Sequence, residues 1–296
     1  MTPKSLKLAL LQERDRGSVE LNLDAIETGL RDAAKAGAQL VLLQELHNGP
    51  YFCQHENVAE FDRAEAIPGP SSERLGKLAE ELELVIVASL FERRAAGLYH
   101  NTAVVFDRSA KIAGMYRKMH IPDDPAYYEK FYFTPGDAGF HPIETSLGKL
   151  GVLVCWDQWY PEAARLMALA GAELLLFPTA IGWDPGDRED ERKRQWEAWV
   201  TVQRGHAIAN GVPLLACNRV GFETDPAKHG RGIQFWGSSF AAGAQGEILA
   251  MAGDDGSELL LADVDMARSE DVRRIWPFLR DRRIDAYGDL LKRFRD

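Results

Sequence analysis

Short apolar runs alternate along the chain with segments whose apolar residues recur every three or four positions. This alternation predicts strands and helices in turn. Residues 6–11 read as a first buried strand. Ser18 then caps a helix that carries Leu23, Ile26, Leu30, Ala33 and Ala34 on one face and stops at Gly37. Residues 39–43 form the next strand, which runs into Glu45. After a loop rich in aromatic residues and proline, Ser71 or Ser72 opens a helix with Leu75, Leu78, Ala79 and Leu82 on one face. Residues 84–90 follow as a strand. Residues 99–106 and 111–116 predict a hairpin around Asp107-Arg108-Ser109-Ala110.

The second half repeats this grammar. A strand over residues 150–154 leads into a helix from Pro161, a favoured first helical residue. Residues 173–177 and 213–217 are strands. Between them a longer helix spans about residues 190–210 and stops at Gly211. Residues 235–242 and 247–251 predict a hairpin around Gly243-Ala244-Gln245-Gly246, and residues 259–264 add one more strand. No linker, low-complexity segment or repeat divides the chain, so one α/β domain over residues 1–296 is expected, with two sheets packed face to face and helices outside. The alternation alone equally allows a doubly wound sheet or a barrel.

Composition narrows the partners. The chain has 296 residues, 46% of them hydrophobic, enough for a large core. Lys and Arg total 35 against 45 Asp and Glu, a net charge of -10, which argues against nucleic-acid binding and suits a cationic small molecule. Cys53, Cys155 and Cys217 form no ligand-like cluster and no disulfide framework, so a reducing cytoplasm is expected. The N-terminal stretch lacks a secretory pattern, and no apolar run approaches membrane-spanning length.

Three residues then stand out. Cys155 lies where the strand 150–154 gives way to a helix start, a position suited to a nucleophile with backbone N–H groups nearby. A buried, inert cysteine is the ordinary alternative. Glu45 follows a strand, as does Lys118 in Tyr116-Arg117-Lys118, and strand ends are where α/β sheets place their sites. Taken singly, either residue can be a cap or a solvated charge.

Taken in order, Leu40 to Leu46, Ala113 to Pro122 and Leu150 to Glu162 resemble the signature of the nitrilase superfamily, carbon–nitrogen hydrolases with a Glu-Lys-Cys triad. The resemblance covers nearly the whole chain. It implies a four-layer αββα sandwich with Glu45, Lys118 and Cys155 as catalytic residues. Glu45 would act as base and acid. Lys118 and the Trp156 N–H would stabilise the oxyanion, and Cys155 would carry the acyl group. Glu129 matches a further acidic position and is expected to orient Lys118 and contact substrate. The thiol mechanism needs no metal and no cofactor, and His47, His120 and His206 are expected to be ordinary hydrogen-bonded residues.

Within the superfamily the chain looks most like members that hydrolyse a ureido group on a small amine. The residues that carry this likeness are Gln44-Glu45-Leu46 and the stretches 118–125, 155–165 and 178–183. A small cationic ureido substrate is therefore expected. Its ammonium needs an anion away from the thiol, and Asp184, in an acidic loop, is the candidate; Asp187, Glu189 and Asp190 are explained by the following helix N-terminus. Carboxylate-bearing carbamoyl amino acids or ω-amides are the rival substrates, with Arg188 or Arg219 as their partners. A nitrile-hydrolysing enzyme and a non-catalytic scaffold complete the alternatives. Residues 276–296, basic and amphipathic, form an extension expected to join subunits in a homodimer or larger assembly.

Overall fold

The computed structural model describes residues 5–225 and 230–295. In the first half the elements are β1 (Ser5–Gln12), α1 (Val19–Lys35), β2 (Leu40–Leu43), α2 (Pro70–Glu81), β3 (Val85–Ala95), β4 (Leu98–Asp107), β5 (Ile112–Arg117) and the single turn α3 (Glu129–Tyr132). The middle of the chain adds β6 (Ile143–Thr145), β7 (Gly148–Val152), α4 (Pro161–Leu169), β8 (Leu174–Thr179), β9 (Gly182–Trp183) and α5 (Glu189–Asn210). The remainder is β10 (Leu214–Asn218), β11 (Val220–Glu223), β12 (Ile233–Trp236), β13 (Phe240–Ala242), β14 (Ile248–Met251), β15 (Glu258–Asp265) and α6 (Arg268–Ile275).

Two six-stranded sheets result, ordered β15-β1-β2-β3-β4-β5 and β14-β13-β10-β8-β7-β6. The side-chain alternation of the first sheet sorts its residues into layers. Leu8, Leu10, Leu40, Leu42, Val85 and Val87 face the second sheet, in one cluster with Val152, Leu174, Leu176 and Leu214. Their neighbours Ala9, Leu11, Val41, Leu43, Ile86 and Ala88 face outward, against Ile26, Leu30 and Ala33 of α1 and Leu75, Leu78 and Ala79 of α2. On the far side, Ala163, Ala164 and Met167 of α4 and Trp199, Val200 and Ala207 of α5 cover the second sheet. This is the helix–sheet–sheet–helix order the resemblance implied. The central strands are apolar on both faces because both faces are covered.

Ser18 caps α1 through its side chain, and Gly37 takes the left-handed backbone that ends it. Three local expectations are corrected. Neither Ser71 nor Ser72 caps α2: Pro70 starts it, Gly69 is the cap, and the Ser72 hydroxyl accepts the Gly69 N–H at 2.8 Å. The strand over 150–154 ends at Val152, and a tight 3₁₀ turn over Cys155–Trp159 comes between it and α4, which starts at Pro161 as expected. The strand over 235–242 breaks at Gly237 and Ser238, whose φ values are +52° and +53°. That break lets β12 join a separate three-stranded sheet, β11-β12-β9, while β13 stays in the second large sheet. Short runs of like hydrophobicity do not reveal such a break, because it is made by backbone angles.

Candidate active site

The ends of β2, β5, β7 and β8 converge. Beyond β2 the Glu45 N–H donates to the Thr179 carbonyl at the end of β8 (3.3 Å), tying the two sheets together. The next residue, Leu46, has φ +50°, an uncommon angle for a branched residue. Two braces hold that turn. Leu46 N–H donates to Ser89 Oγ at 3.2 Å, and the Arg219 guanidinium donates to the carbonyls of Glu45 (3.3 Å), Leu46 (2.8 Å) and Gly49 (2.9 Å). Arg219 is fully buried, and Glu223 neutralises it at 2.7 Å.

Lys118 directly follows β5. Its N–H donates to the Asn101 carbonyl and its carbonyl accepts the Gly136 N–H, at 2.9 and 2.8 Å. Gly136 has no room for a side chain, because a Cβ would collide with the Arg117 carbonyl. Cys155 sits at φ +41°, strained for a residue with a Cβ. Such angles cost on the order of 1–3 kcal/mol and persist where the surroundings enforce them. Asp157 does so here. Its Oδ2 accepts from Val154 N–H and Tyr116 Oη, both at 2.9 Å, and its Oδ1 accepts from His120 N–H at 3.0 Å with the His120 Nδ1 at 2.7 Å.

The side chains meet in a dry site. Glu45, Lys118 and Glu129 are all fully buried, and Cys155 is 5% exposed. Lys118 Nζ donates to Glu45 Oε1 at 2.7 Å and to Glu129 Oε2 at 2.6 Å. Asn101 Nδ2 also donates to Glu45 Oε1 (2.6 Å), and Tyr51 Oη donates to Glu129 Oε1 (2.7 Å). Glu45 Oε2 is buried without a partner, which leaves one oxygen free to take a proton. Burial by itself would lower the Lys118 pKa, but the Glu129 and Glu45 carboxylates outweigh it and hold the ammonium well above its usual range. Burial pushes the Cys155 thiol well up, helped by the Glu45 charge and opposed by Lys118. Burial also raises Glu129, since two carboxylates facing one ammonium leave excess negative charge in a dry place. The resting site therefore holds a thiol that needs a base, a carboxylate beside it and a fixed ammonium.

The cavity above Cys155 has a volume of about 360 Å³. Trp156, Trp159, Tyr127, Ile181 and Trp236 give it apolar walls. Its charged lining is Asp124, Glu129, Asp184 and Asp187; no Lys, Arg or His is among the described residues that line it.

The sequence-predicted residues fall into place unevenly. Glu45, Lys118, Glu129 and Cys155 come together, and Trp156 lines the cavity beside the thiol. Asp184 lines it too, but it is exposed: its Oδ1 accepts the Gly186 N–H at 2.6 Å and lies 3.5 Å from Arg231. Arg219 is buried behind Glu45 and Arg188 points outward to solvent at 85% side-chain exposure, so neither lines the cavity for a substrate carboxylate. Asp187, explained from sequence by the helix N-terminus, lines the cavity and accepts from Gln195 Nε2 at 3.1 Å. His47, His120 and His206 are hydrogen-bonded to Ser89, Asp157 and Gln158. Tyr127 walls the cavity, whereas the nearby Tyr132 and Phe133 join an apolar cluster with Phe52 and Phe91. Asn101, Tyr51 and Arg219's bracing role went unseen in the sequence. Their partners are remote in the chain, and no local pattern marks them.

Residues 7–274 match the carbon-nitrogen hydrolase family model. The chain belongs to the carbon–nitrogen hydrolase family. This hydrolase is 47% identical over 272 residues to the N-carbamoylputrescine amidase of Oryza sativa subsp. japonica, covering 91% of this chain and 89% of that one. It is 40% identical over 291 residues to a citrullinase of Francisella tularensis, covering 98% and 99%. A carbon-nitrogen hydrolase of Helicobacter pylori G27 superposes on the hydrolase with a TM-score of 0.96 at 56% identity, covering 98% of this chain and all of the other.

Proposed function

We propose that this hydrolase cleaves the ureido group of N-carbamoylputrescine to putrescine, carbon dioxide and ammonia. The observation that carries this reading is the cavity lining: four carboxylates and no Lys, Arg or His among the described lining residues, with Cys155 in the wall and Lys118 and Glu45 buried next to the lining Glu129. A diamine with one end carbamoylated presents a ureido carbon to the thiol and an ammonium to the acids. The likeness to the rice enzyme supports the same substrate. Citrulline carries a carboxylate beside its ammonium, for which this lining offers no partner.

Glu45 takes the Cys155 proton as sulfur attacks the ureido carbon. The oxyanion forms against Lys118 and the Trp156 N–H. Collapse breaks the bond to the terminal nitrogen, which leaves as ammonia with the proton returned by Glu45. A thioester-like carbamoyl enzyme remains on Cys155. Glu45 then takes a proton from water, whose oxygen attacks the same carbon and releases the thiol and a carbamate; the carbamate falls to carbon dioxide and putrescine. The exposed Asp184 and the neighbouring Asp187 add negative potential that favours entry of a cation.

The reading extends to assembly and place. Ile284, Leu290, Leu291 and Phe294 are 64–95% exposed near the end of the chain, a set of apolar side chains suited to contact with a second copy in a homodimer or larger assembly. The free, buried Cys53, Cys155 and Cys217 suit a reducing cytoplasm. No helix among the described residues is long and apolar enough to cross a membrane.

The test is ammonia release from N-carbamoylputrescine beside N-carbamoyl-β-alanine, citrulline and a simple aliphatic nitrile, with Cys155→Ala as control. Strong preference for the cationic ureido compound, lost in the variant, is the expected result. Preference for a carboxylate-bearing or nitrile substrate would keep the triad and discard the substrate. No turnover of any would return the scaffold reading.

A further inference from the structure

Four carboxylates line the cavity, and three of them are already engaged. Glu129 receives Lys118 and Tyr51. Asp184 receives the Gly186 N–H and faces Arg231. Asp187 receives Gln195. Asp124 differs. It lies on the segment joining Lys118 to α3, half-buried, and its Oδ1 is sealed from solvent without a hydrogen-bond partner. Among the described residues no Lys, Arg or His forms an ion pair with it within 4.0 Å.

A buried carboxylate oxygen without a donor is costly, about 1–3 kcal/mol or more for a charged group. It survives where function needs it, and here the cavity supplies the reason. The surrounding wall is fixed: Tyr127 N–H donates to the Asp124 carbonyl at 2.9 Å, and Tyr127 Oη accepts from the Gly182 N–H at 3.0 Å. Asp124 is thus a preorganised acceptor in the chamber that Cys155 also lines. Resting on the reading that the substrate is a cationic ureido compound, we propose that Asp124 is the specificity-determining residue that holds the substrate's terminal ammonium. The ammonium meets the Asp124 carboxylate where that residue lines the cavity, while the four-carbon chain runs along the Trp and Tyr walls to Cys155.

The charge state of Asp124 agrees with this use. Burial raises its carboxyl above the ordinary value, with Asp123 adding to the rise and its own backbone N–H and the Lys118 charge opposing it. A raised folded pKa means that stability is fully present below the unfolded value and lost as pH rises through the folded one. Ionised Asp124 is therefore a stability cost at neutral pH that a bound cation offsets. Asp124→Asn removes that cost, so its Tm is expected to exceed wild type at pH 7 and to match it near pH 3.

The deciding experiment compares kcat/KM for N-carbamoylputrescine and for its neutral isostere N-pentylurea, in wild type, Asp124→Asn and Asp184→Asn. Loss of one charge-assisted contact predicts a fall of about 10- to 100-fold for the cationic substrate in Asp124→Asn and a far smaller fall for N-pentylurea. The wild-type preference for the cation is also expected to shrink at acid pH as Asp124 is protonated. A preference that persists in Asp124→Asn, or that collapses in Asp184→Asn instead, overturns the assignment while leaving the substrate reading intact. A wild-type enzyme that does not prefer the cation overturns the substrate reading, and the Asp124 assignment with it.

Discussion

At the scale of single residues, the site works by holding groups in unfavourable states until substrate arrives. Cys155 combines a strained backbone with a thiol whose pKa burial has pushed well up. Such a thiol does not ionise by itself near neutral pH, so its reactivity depends on Glu45, whose Oε2 is the one unpartnered oxygen of the Glu45–Lys118–Glu129 group. Glu45→Gln keeps the shape and removes the base. Acylation is expected to fall by at least about a hundredfold. Because the thiol pKa lies above its ordinary value rather than below, raising the pH from 6 to 9 is not expected to restore it. A single-turnover measurement of ammonia release across that range checks this. Recovery with a midpoint near the pKa of an ordinary thiol would show a Cys155 that needs no base.

At the scale of elements, the groups proposed as catalytic sit just past strands, where backbone position is fixed but side chains are free to face a cavity. What fixes the turn after β2 is Arg219, from the end of β10, reaching carbonyls of Glu45, Leu46 and Gly49 while paired with Glu223. Glu223 in turn accepts the Tyr51 N–H at 2.7 Å, and Tyr51 donates to Glu129, so the same bracing reaches the second carboxylate. Arg219→Met leaves Glu223 and the carbonyls buried without a cation. The expected loss is about 3–5 kcal/mol of stability. In the fraction that remains folded, kcat should fall with KM little changed, because the loosened group is the base rather than the substrate cavity. Chemical denaturation paired with steady-state kinetics reads both; an unchanged kcat would show that Arg219 is structural alone.

At the scale of the whole molecule, two sheets share one core while the site is built from ends of strands in both. The apolar side chains left outside that core are concentrated late in the chain: Ile275, Trp276, Phe278, Ile284, Leu290, Leu291 and Phe294 are each 44–95% exposed. Removal of residues 276–296 is expected to lower the proposed assembly to monomers, with the rest of the fold retained, because none of those residues belongs to the shared apolar cluster. Sedimentation velocity of the full and shortened chains, with circular dichroism for folding, decides it. An unchanged assembly would place the subunit contact elsewhere.

The sequence by itself determined the main strands and helices, because periodicity is a local property, while Glu45, Lys118 and Cys155 stood out only through the ordered resemblance of their three segments to the nitrilase superfamily. Ser18 and Gly37 were readable for the same reason: a cap and a left-handed stop act on their own helix. The tertiary structure decided what depends on distance in space. It broke the strand at Gly237 and Ser238, turned the chain through φ +41° at Cys155, buried Arg219 behind Glu45, and gave Asp184 a cation while leaving Asp124 without one. A carboxylate's role follows from what faces it. Glu129 meets Tyr51 across 78 residues of chain, and Asp184 meets Arg231 from a separate segment, so the acids of one cavity became fully distinguishable only once the chain had packed.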